Sequence, residues 1–502
     1  MSRLVHRFLE SSAQAYPDRT ALLEGDRKMT FSEVDSLSNR LARLLKEHGL
    51  QKGDRVLMIM ENSFESVAGY YGILKAGGVC VEVSDRTTPA EAAYYRDNSG
   101  ASTCRISALS AKRLAGFDIP CVIGPEVPVN NGYGVQMTWE DVSNVPDDPV
   151  KGDIWEGDLA AIVYTSGSTG RPKGVMLTHR NLCANCASIV SYLGLTGSDR
   201  VMAVLPFNYV YGKTLLNTHF MVGGSLVINN RFAFPNSVIQ DMIKKEVTGF
   251  AGVPSTFAIL LNRSIFTKTP IPSLRYVTQA GGAMAPALTK RLIEILGNVS
   301  LYIMYGATEA SARLTYLPPE RLLEDKLGSI GIPIPGVEIT IRDNEGTVLP
   351  PFAVGNICAG GENIMQGYWK DEEETAKALK PWGLVTGDLG HMDDEGFIYL
   401  TGRKKDMLKI GGERVSPKEI EEGLIESGMV HEVAVTGHPD EYLSEVPEAF
   451  IVPLDDKTFD LEALKSFIAR RLASHKHPKY WNVMRVLPKK PSGKIDKEAL
   501  KK

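Results

Sequence analysis

The chain is 502 residues long, more than one hydrophobic core organises, and at about 150 residues per domain it allows two to four lobes. A formal net charge of −4 leaves no basic field of the kind that binds nucleic acid. Six scattered cysteines make no disulfide framework, Met1 to Phe8 lacks the apolar core of a signal peptide, and the apolar region 67–83 is broken by Lys75 and several glycines, so no membrane span and a cytoplasmic setting are expected.

Taken in order, Thr30-Phe31-Ser32-Glu33 is a capping box, and Val34, Leu37, Leu41, Leu44 and Leu45 then recur at helical spacing until Gly49 stops the helix. A strand at Arg55–Met60, a helix at Phe64–Lys75 and a strand at Val79–Val83 form a unit that implies a parallel sheet. Residues 103–157 are rich in Pro, Gly, Asn and Asp and carry nothing catalytic. Next comes Leu159–Tyr164, an apolar strand, followed by Thr165-Ser166-Gly167-Ser168-Thr169-Gly170-Arg171-Pro172-Lys173-Gly174 and a helix entry at Thr178–Leu182. Glycines let successive N–H groups converge on an anion, the hydroxyls of Thr165, Ser166, Ser168 and Thr169 add donors, and Lys173 adds a point charge suited to phosphate. A plain polar linker needs no such cation, while the nucleotide-kinase loop requires Gly-Lys-Ser/Thr, and here Lys173 follows Pro172.

Cys183 and Cys186 form a C-x-x-C inside the helix that follows, with no second pair nearby, and read as buried thiols on one helix face. Val201–Leu205 and Leu226–Ile228 are further strands of the layered α/β front part. Short β-like pieces alternate with Pro and Gly from Gly328 to Gly361, a β-rich subdomain. After Arg403 the composition turns charged, with helices beginning near Pro417 and Leu461.

Four later stretches carry more chemistry than packing requires. Tyr305-Gly306-Ala307-Thr308-Glu309 puts a hydroxyl and a carboxylate at a strand's C-terminal end, where α/β sheets bind ligands. Thr386-Gly387-Asp388-Leu389-Gly390 sets an acid between glycines, Gly402-Arg403-Lys404-Lys405-Asp406 opens the second lobe, and Pro491-Ser492-Gly493-Lys494 nearly ends it. Each has a bland alternative: Thr308 as a helix cap, Glu309 as a solvated acid, Asp388 as an Asx-turn residue, Lys494 as one of several tail lysines. Pro491-Ser492-Gly493 sets Lys494 apart, because a turn there fixes its position.

Together and in this order, these residues resemble the acyl-adenylate-forming family of acyl-CoA synthetases, peptide-synthetase adenylation domains and luciferases, over essentially the whole chain. The resemblance implies an α/β fold: a large N-terminal domain, residues 1–402, of layered α/β subdomains plus a β-rich one, a hinge at 403–405, and a small mobile α+β C-terminal domain, 406–502. It implies a ligase that activates a carboxylic acid with ATP and Mg²⁺ to an acyl-adenylate and passes the acyl group to a thiol. Coenzyme A is the expected acceptor; the phosphopantetheine arm of an acyl carrier protein is the alternative within the family, and a catalytically silent nucleotide-binding scaffold the alternative outside it.

By the same resemblance the loop from Thr165 through Ser166, Gly167, Ser168, Thr169 and Gly170 to Lys173 grips the β- and γ-phosphates. Thr308 contacts the α-phosphate, Glu309 ligates Mg²⁺, and Gly281, Gly282 and Ala283, with Tyr305 and Gly306, flank the adenine. Asp388 and Arg403 hold the ribose, and Lys494 bridges the attacking carboxylate and the α-phosphate. Lys405 is the hinge, and rotation there replaces Lys494 by Lys409, Gly411, Gly412 and Glu413, which line the thiol's path. Phe207, Asn208, Tyr209, Val210 and Tyr211 form the acyl pocket, whose aromatics suit an aryl or short-to-medium acyl group and equally suit plain core. No acid stands between Leu205 and Gly212, which disfavours an amino acid substrate. Tyr209 replaces the histidine common in acyl-CoA synthetases, and Asn356 replaces a frequent Glu.

Overall fold

The computed structural model of the chain describes residues 3–106, 114, 117, 121–123, 135–150, 152–165, 172–410, 413–440, 442–489 and 494–501, without the side chains of 104–106, 121–123, 135–137, 139–140 and 413–414. The phosphate-loop residues Ser166, Gly167, Ser168, Thr169 and Gly170, and Gly411 and Gly412, lie outside the described residues. The fold is mixed α/β, with four sheets among the described residues.

Burial on both faces explains the first two sheets. In Arg55–Ile59, Val56 and Met58 join one core while Leu57 and Ile59 join another, all fully buried. The period of two sends alternate side chains to opposite faces, and a parallel sheet covered by helices on both sides reads as a continuous apolar run. Arg55–Ile59 pairs in parallel with Val79–Val83 and Thr103–Ile106, inside an eight-stranded sheet that also holds Leu159–Thr165 and Lys173–Thr178. A second, nine-stranded sheet contains Arg200–Ala203, Ser225–Ile228, Gly249–Gly252, Tyr276–Gln279 and Ser300–Tyr305, all parallel. It too alternates: Val201 and Ala203 face the larger core, Met202 the smaller.

The larger core is the layer shared by these two sheets, filled by the helices Phe31–Glu47, Phe64–Lys75, His179–Leu193 and Val210–Val222. Three of the four start on side-chain caps. Thr30 Oγ1 accepts from the Glu33 N–H while Glu33 accepts from the Thr30 N–H, Ser63 and Ser66 do the same, and so do Thr178 and Asn181. The fourth starts at Tyr209, which makes no side-chain cap. Cys183 and Cys186 are buried in the His179–Leu193 helix, and burial pushes the Cys183 thiol up to about 12. They are packing residues, inert at neutral pH.

Val337–Arg342, Gly355–Gly361, Leu379–Lys380, Gly383–Met392 and Ile398–Arg403 make the third sheet, which is antiparallel. The fourth, centred on the Val430–Asp440 and Ser444–Pro453 pair, packs with the helices Pro417–Glu426 and Leu461–Arg471 around its own core of Leu408, Ile420, Val435, Ile451 and Leu464. This last unit touches the front part through Asn262 with His431 at 3.0 Å and Lys418 Nζ donating to Leu400 O at 2.8 Å.

Two departures from the sequence reading stand out. That reading passes from the phosphate loop directly to a helix; the structure inserts Lys173–Thr178 as a strand, antiparallel to Leu159–Thr165. Val175 and Leu177 alternate inward and are fully buried, so the segment has a half-buried strand's pattern too short to register against the helix that follows. Asn356 also acquires a role: its amide donates to the Arg342 and Asp343 carbonyls, and its oxygen accepts from Lys404 Nζ at 3.4 Å. It ties the β-rich subdomain to the segment that leads into the last unit.

Candidate active site

Strand register sets the loop's two described ends. Thr165 and Lys173 are direct partners across the hairpin, so the intervening loop leaves and re-enters the sheet at one point, with the Lys173 ammonium at its base. Lys173 Nζ is ion-paired with Glu374 and lies 5.2 Å from the centre of the Tyr368 ring. The pair with Lys173 holds the Glu374 carboxyl below its usual range. Tyr368 Oη in turn donates to Glu309 Oε1 at 2.8 Å, and burial and that carboxylate keep the phenol protonated far above its ordinary value. Tyr368 reaches both groups because Gly367–Tyr368 pairs with the Lys173–Thr178 strand.

Glu309 and Thr308 sit on a single 3-10 turn, Thr308–Ala310, just beyond the Ser300–Tyr305 strand. The turn is held in a strained loop: Ser311 and Ala312 have φ of 56° and 110°, uncommon for residues other than glycine and a mark of functional loops. Gly306 is required there, since a Cβ would stand 1.8 Å from the Ala312 carbonyl oxygen.

Register also makes the third cluster. Asp388 and Arg403 are direct partners across the Gly383–Met392 and Ile398–Arg403 strands. Arg403 Nε donates to Asp388 Oδ1 at 3.0 Å and Tyr305 Oη to Asp388 Oδ2 at 2.7 Å. Burial, then the Asp388 charge, drive the Tyr305 phenol well above its ordinary value, so it remains a donor. The carboxylate is buried while the guanidinium beside it is half exposed.

Lys494 comes to the front part from the last unit. Its Nζ lies 5.7 Å from the centre of the Tyr209 ring. A Cβ on Gly281, which has φ of 85°, would meet Tyr209 Oη at 2.9 Å and Lys494 Cε at 3.7 Å. Three residues from distant parts of the sequence therefore meet at one point, and only a residue without a side chain leaves room for them. Gln279 Nε2 donates to the Gly282 carbonyl at 2.8 Å and holds the turn, with Ala283 following.

In the acyl segment, Asn62 Oδ1 accepts from the Phe207 N–H and Asn62 Nδ2 donates to the Leu205 carbonyl, pinning the turn that presents Asn208 and Tyr209. Val210 and Tyr211 are buried at the start of the helix. Tyr211 Oη is bonded to Thr278 at 2.8 Å, and the Arg313 guanidinium lies 4.0 Å from its ring centre. Lys405 is exposed in the turn after Arg403, and Lys409 is exposed on the fourth sheet, its N–H donating to Glu445. Among the described residues neither is bonded to Lys173, Glu309, Asp388 or Tyr305. Sequence reasoning overlooks Glu374, Tyr368, Asn62 and Arg313, since nothing in local spacing links them to residues 60 to 200 positions away.

The donor set bears on metal binding. Among the described residues no group of three or more His, Cys, Asp and Glu could cage a metal ion. A lone Glu309, joined through Tyr368 to the neighbourhood of Lys173, fits Mg²⁺ that takes most of its ligands from phosphate and water.

The AMP-binding enzyme family matches residues 9–369, and its C-terminal domain matches residues 419–494. A long-chain-fatty-acid–CoA ligase of Bacillus subtilis (strain 168) is 32% identical, over 98% of this chain and 93% of its own. A 2-succinylbenzoate–CoA ligase of Bacillus licheniformis is 31% identical over 98% of both. Among solved structures, the anthranilate CoA ligase AuaEII in complex with anthranoyl-AMP superposes with a TM-score of 0.89 at 27% identity, covering 99% of this chain and 96% of that one. The o-succinylbenzoate coenzyme A synthetase MenE of Bacillus subtilis with ATP and magnesium gives 0.85 at 28%, covering 99% of each. The chain belongs to the AMP-binding enzyme family, among its AMP-forming CoA ligases.

Proposed function

We propose that this protein condenses a carboxylic acid with ATP to an acyl-adenylate, releasing pyrophosphate, and then transfers the acyl group to the thiol of coenzyme A. The observation that carries the reading is the meeting of Lys494, Tyr209 and Gly281 at one point, which brings a cation from the small unit to the end of the acyl segment. An acid's carboxylate attacks the α-phosphorus, and the bond to the β-phosphate oxygen breaks. Both reactants are anions, so the barrier falls where fixed cations neutralise charge and hold the groups in line.

Lys494 is the cation at the reacting atoms, and Lys173, Thr165 and the loop between them hold the leaving pyrophosphate. Asp388 accepts the ribose hydroxyls, with Arg403 and Tyr305 orienting its carboxylate. Thr308 contacts the α-phosphate and Glu309 holds Mg²⁺, which when bound offsets phosphate charge. Gly281 to Ala283 and Gly306 leave room for the adenine. Residues 1–402 and 406–502 act as separate bodies about Lys405, supported by the separate core that begins at Leu408. Lys409 to Glu413 serve the thiol after rotation.

Pyrophosphate exchange into ATP, measured with a broad panel of carboxylic acids, tests the reading. Exchange that requires both an acid and Mg²⁺ is expected; none with any acid overturns it. Repeating the productive acids with coenzyme A and with a phosphopantetheinylated carrier protein decides the acceptor, and the CoA-ligase relatives favour coenzyme A.

A further inference from the structure

The Thr308–Ala310 turn is held by two side chains that the chemistry above does not use. Asn185, on the His179–Leu193 helix, and Asn363, just after the Gly355–Gly361 strand, are both buried. Asn363 Nδ2 donates to the Ala310 carbonyl at 3.1 Å and to the Arg313 carbonyl at 2.9 Å. Asn185 Nδ2 donates to the same two oxygens, at 3.4 Å and 2.9 Å. An amide NH2 carries two hydrogens and a carbonyl oxygen two lone pairs, so these bonds close a square in which every donor and acceptor is used. Neither amide oxygen is bonded to a described residue; both amides serve the turn as donors.

The square grips the backbone where it supports itself least. Between the two carbonyls, Ser311 and Ala312 have φ of 56° and 110°, and backbone in that region persists only where its surroundings over-determine it. Neighbouring bonds reinforce the grip. Ser311 Oγ donates to the Asn363 carbonyl at 2.8 Å, and the Met365 N–H donates to the Glu309 carbonyl at 2.8 Å. Asn181, one helical turn before Asn185 and on the same face, donates through Nδ2 to the Glu362 and Ile364 carbonyls at 2.7 Å and 2.8 Å. Residues 362–365 are thus tied to the helix on one side and to the turn on the other. Soon afterwards in the chain Tyr368 Oη donates to Glu309 Oε1, so one short segment fixes Glu309 by both its backbone and its carboxylate.

We propose that Asn185 and Asn363 are positioning residues of the ligase, setting through the Ala310 and Arg313 carbonyls the turn that aims Thr308 at the α-phosphate and Glu309 at Mg²⁺. The inference rests on the ligase reading and deepens it. Adenylation brings an anionic acid against an anionic nucleotide, and the groups that offset this charge are effective only when aligned before reaction. A turn freed from the two amides relaxes its left-handed backbone and carries the Glu309 carboxylate away from the metal. Acyl transfer from a preformed acyl-adenylate involves no departing pyrophosphate and depends less on Glu309.

The test uses the full chain and the acids that support exchange in the panel above. Asn363→Ala is expected to lower kcat for pyrophosphate exchange about tenfold or more and to raise the Mg²⁺ concentration for half-maximal rate about threefold or more, the scale of a misplaced catalytic group. Thioester formation from a supplied acyl-adenylate should stay close to wild type. Asn363→Asp, which keeps the shape and removes both donors, should lose as much as Asn363→Ala. Ser188→Ala removes the hydroxyl that the same helix donates to the Pro335 carbonyl, and should lower the thermal midpoint alone. Wild-type kcat and Mg²⁺ requirement in folded Asn363→Ala, wild-type kcat in Asn363→Asp, the same kcat loss in Ser188→Ala, or equal losses in both half-reactions overturns the inference and leaves the ligase reading intact. No exchange by wild type with any acid removes both. Should the Asn363 variants fail to melt cooperatively, Asn185→Ala, which leaves each carbonyl one amide donor, decides by the same readouts.

Discussion

On the proposed function, replacing Lys494 or Glu374 tests separate steps. Lys494 reaches Tyr209 from outside the large front part, so on the proposed function its ammonium acts only while the small unit holds this orientation. Lys494→Ala should lower acid-dependent pyrophosphate exchange by about 10²–10³, the range for a lost fixed charge at a reacting oxyanion, and leave thioester formation from a supplied acyl-adenylate nearly unchanged. Equal losses in both assays contradict two orientations. Glu374 is ion-paired with Lys173, so on the proposed function phosphate must displace a carboxylate. Glu374→Gln should therefore lower the KM for ATP about three- to tenfold with little change in kcat, each tenfold corresponding to about 1.4 kcal/mol of binding. A raised KM would instead mean that Glu374 positions the lysine.

At the scale of elements, the turn after the Tyr305 strand is a strained point. Gly306 lies against the Ala312 carbonyl, and Ser311 and Ala312 hold left-handed conformations so that Thr308 and Glu309 face the site. Gly306→Ala should cost more than about 2 kcal/mol of stability, in the range of substitutions that force a backbone shift, and lower exchange activity with it. A denaturant midpoint equal to wild type would show that the loop moves aside freely. The hairpin at Thr165 and Lys173 works differently. It gains position from sheet register, which aligns Lys173 with the groups on the neighbouring Gly367–Tyr368 strand.

Across the whole molecule, the layer between the two large sheets holds three buried histidines. Burial pushes His6 down to about 3 and His179 and His219 each down to about 4. His219 is bonded at both nitrogens, to the Leu215 carbonyl and to Tyr276 Oη, and His179 Nδ1 accepts from the Val5 N–H, arrangements that suit neutral rings. Their folded values lie below the ordinary 6.5, so the unfolded chain binds more protons as pH falls. The stability they contribute is present above 6.5 and is lost as pH drops toward 4, up to about 3 kcal/mol for His219. Thermal midpoints should therefore fall steadily from pH 7 to 5; a flat profile would contradict buried neutral rings.

Much of this was legible from local signals. Capping at Thr30, the strand-helix-strand unit from Arg55 to Val83 and the helix starts at Pro417 and Leu461 follow from caps and periodicity, which act over a few residues and survive any tertiary arrangement. Ordered motifs were enough to mark the family. Only the tertiary structure decided which groups meet: Lys494 with Tyr209 and Gly281, Glu374 with Lys173, and Tyr368 with Glu309. Those pairs join residues far apart in the chain, set by strand register and helix packing, and no spacing rule along the sequence encodes a contact that two sheets and a second unit create by closing on each other.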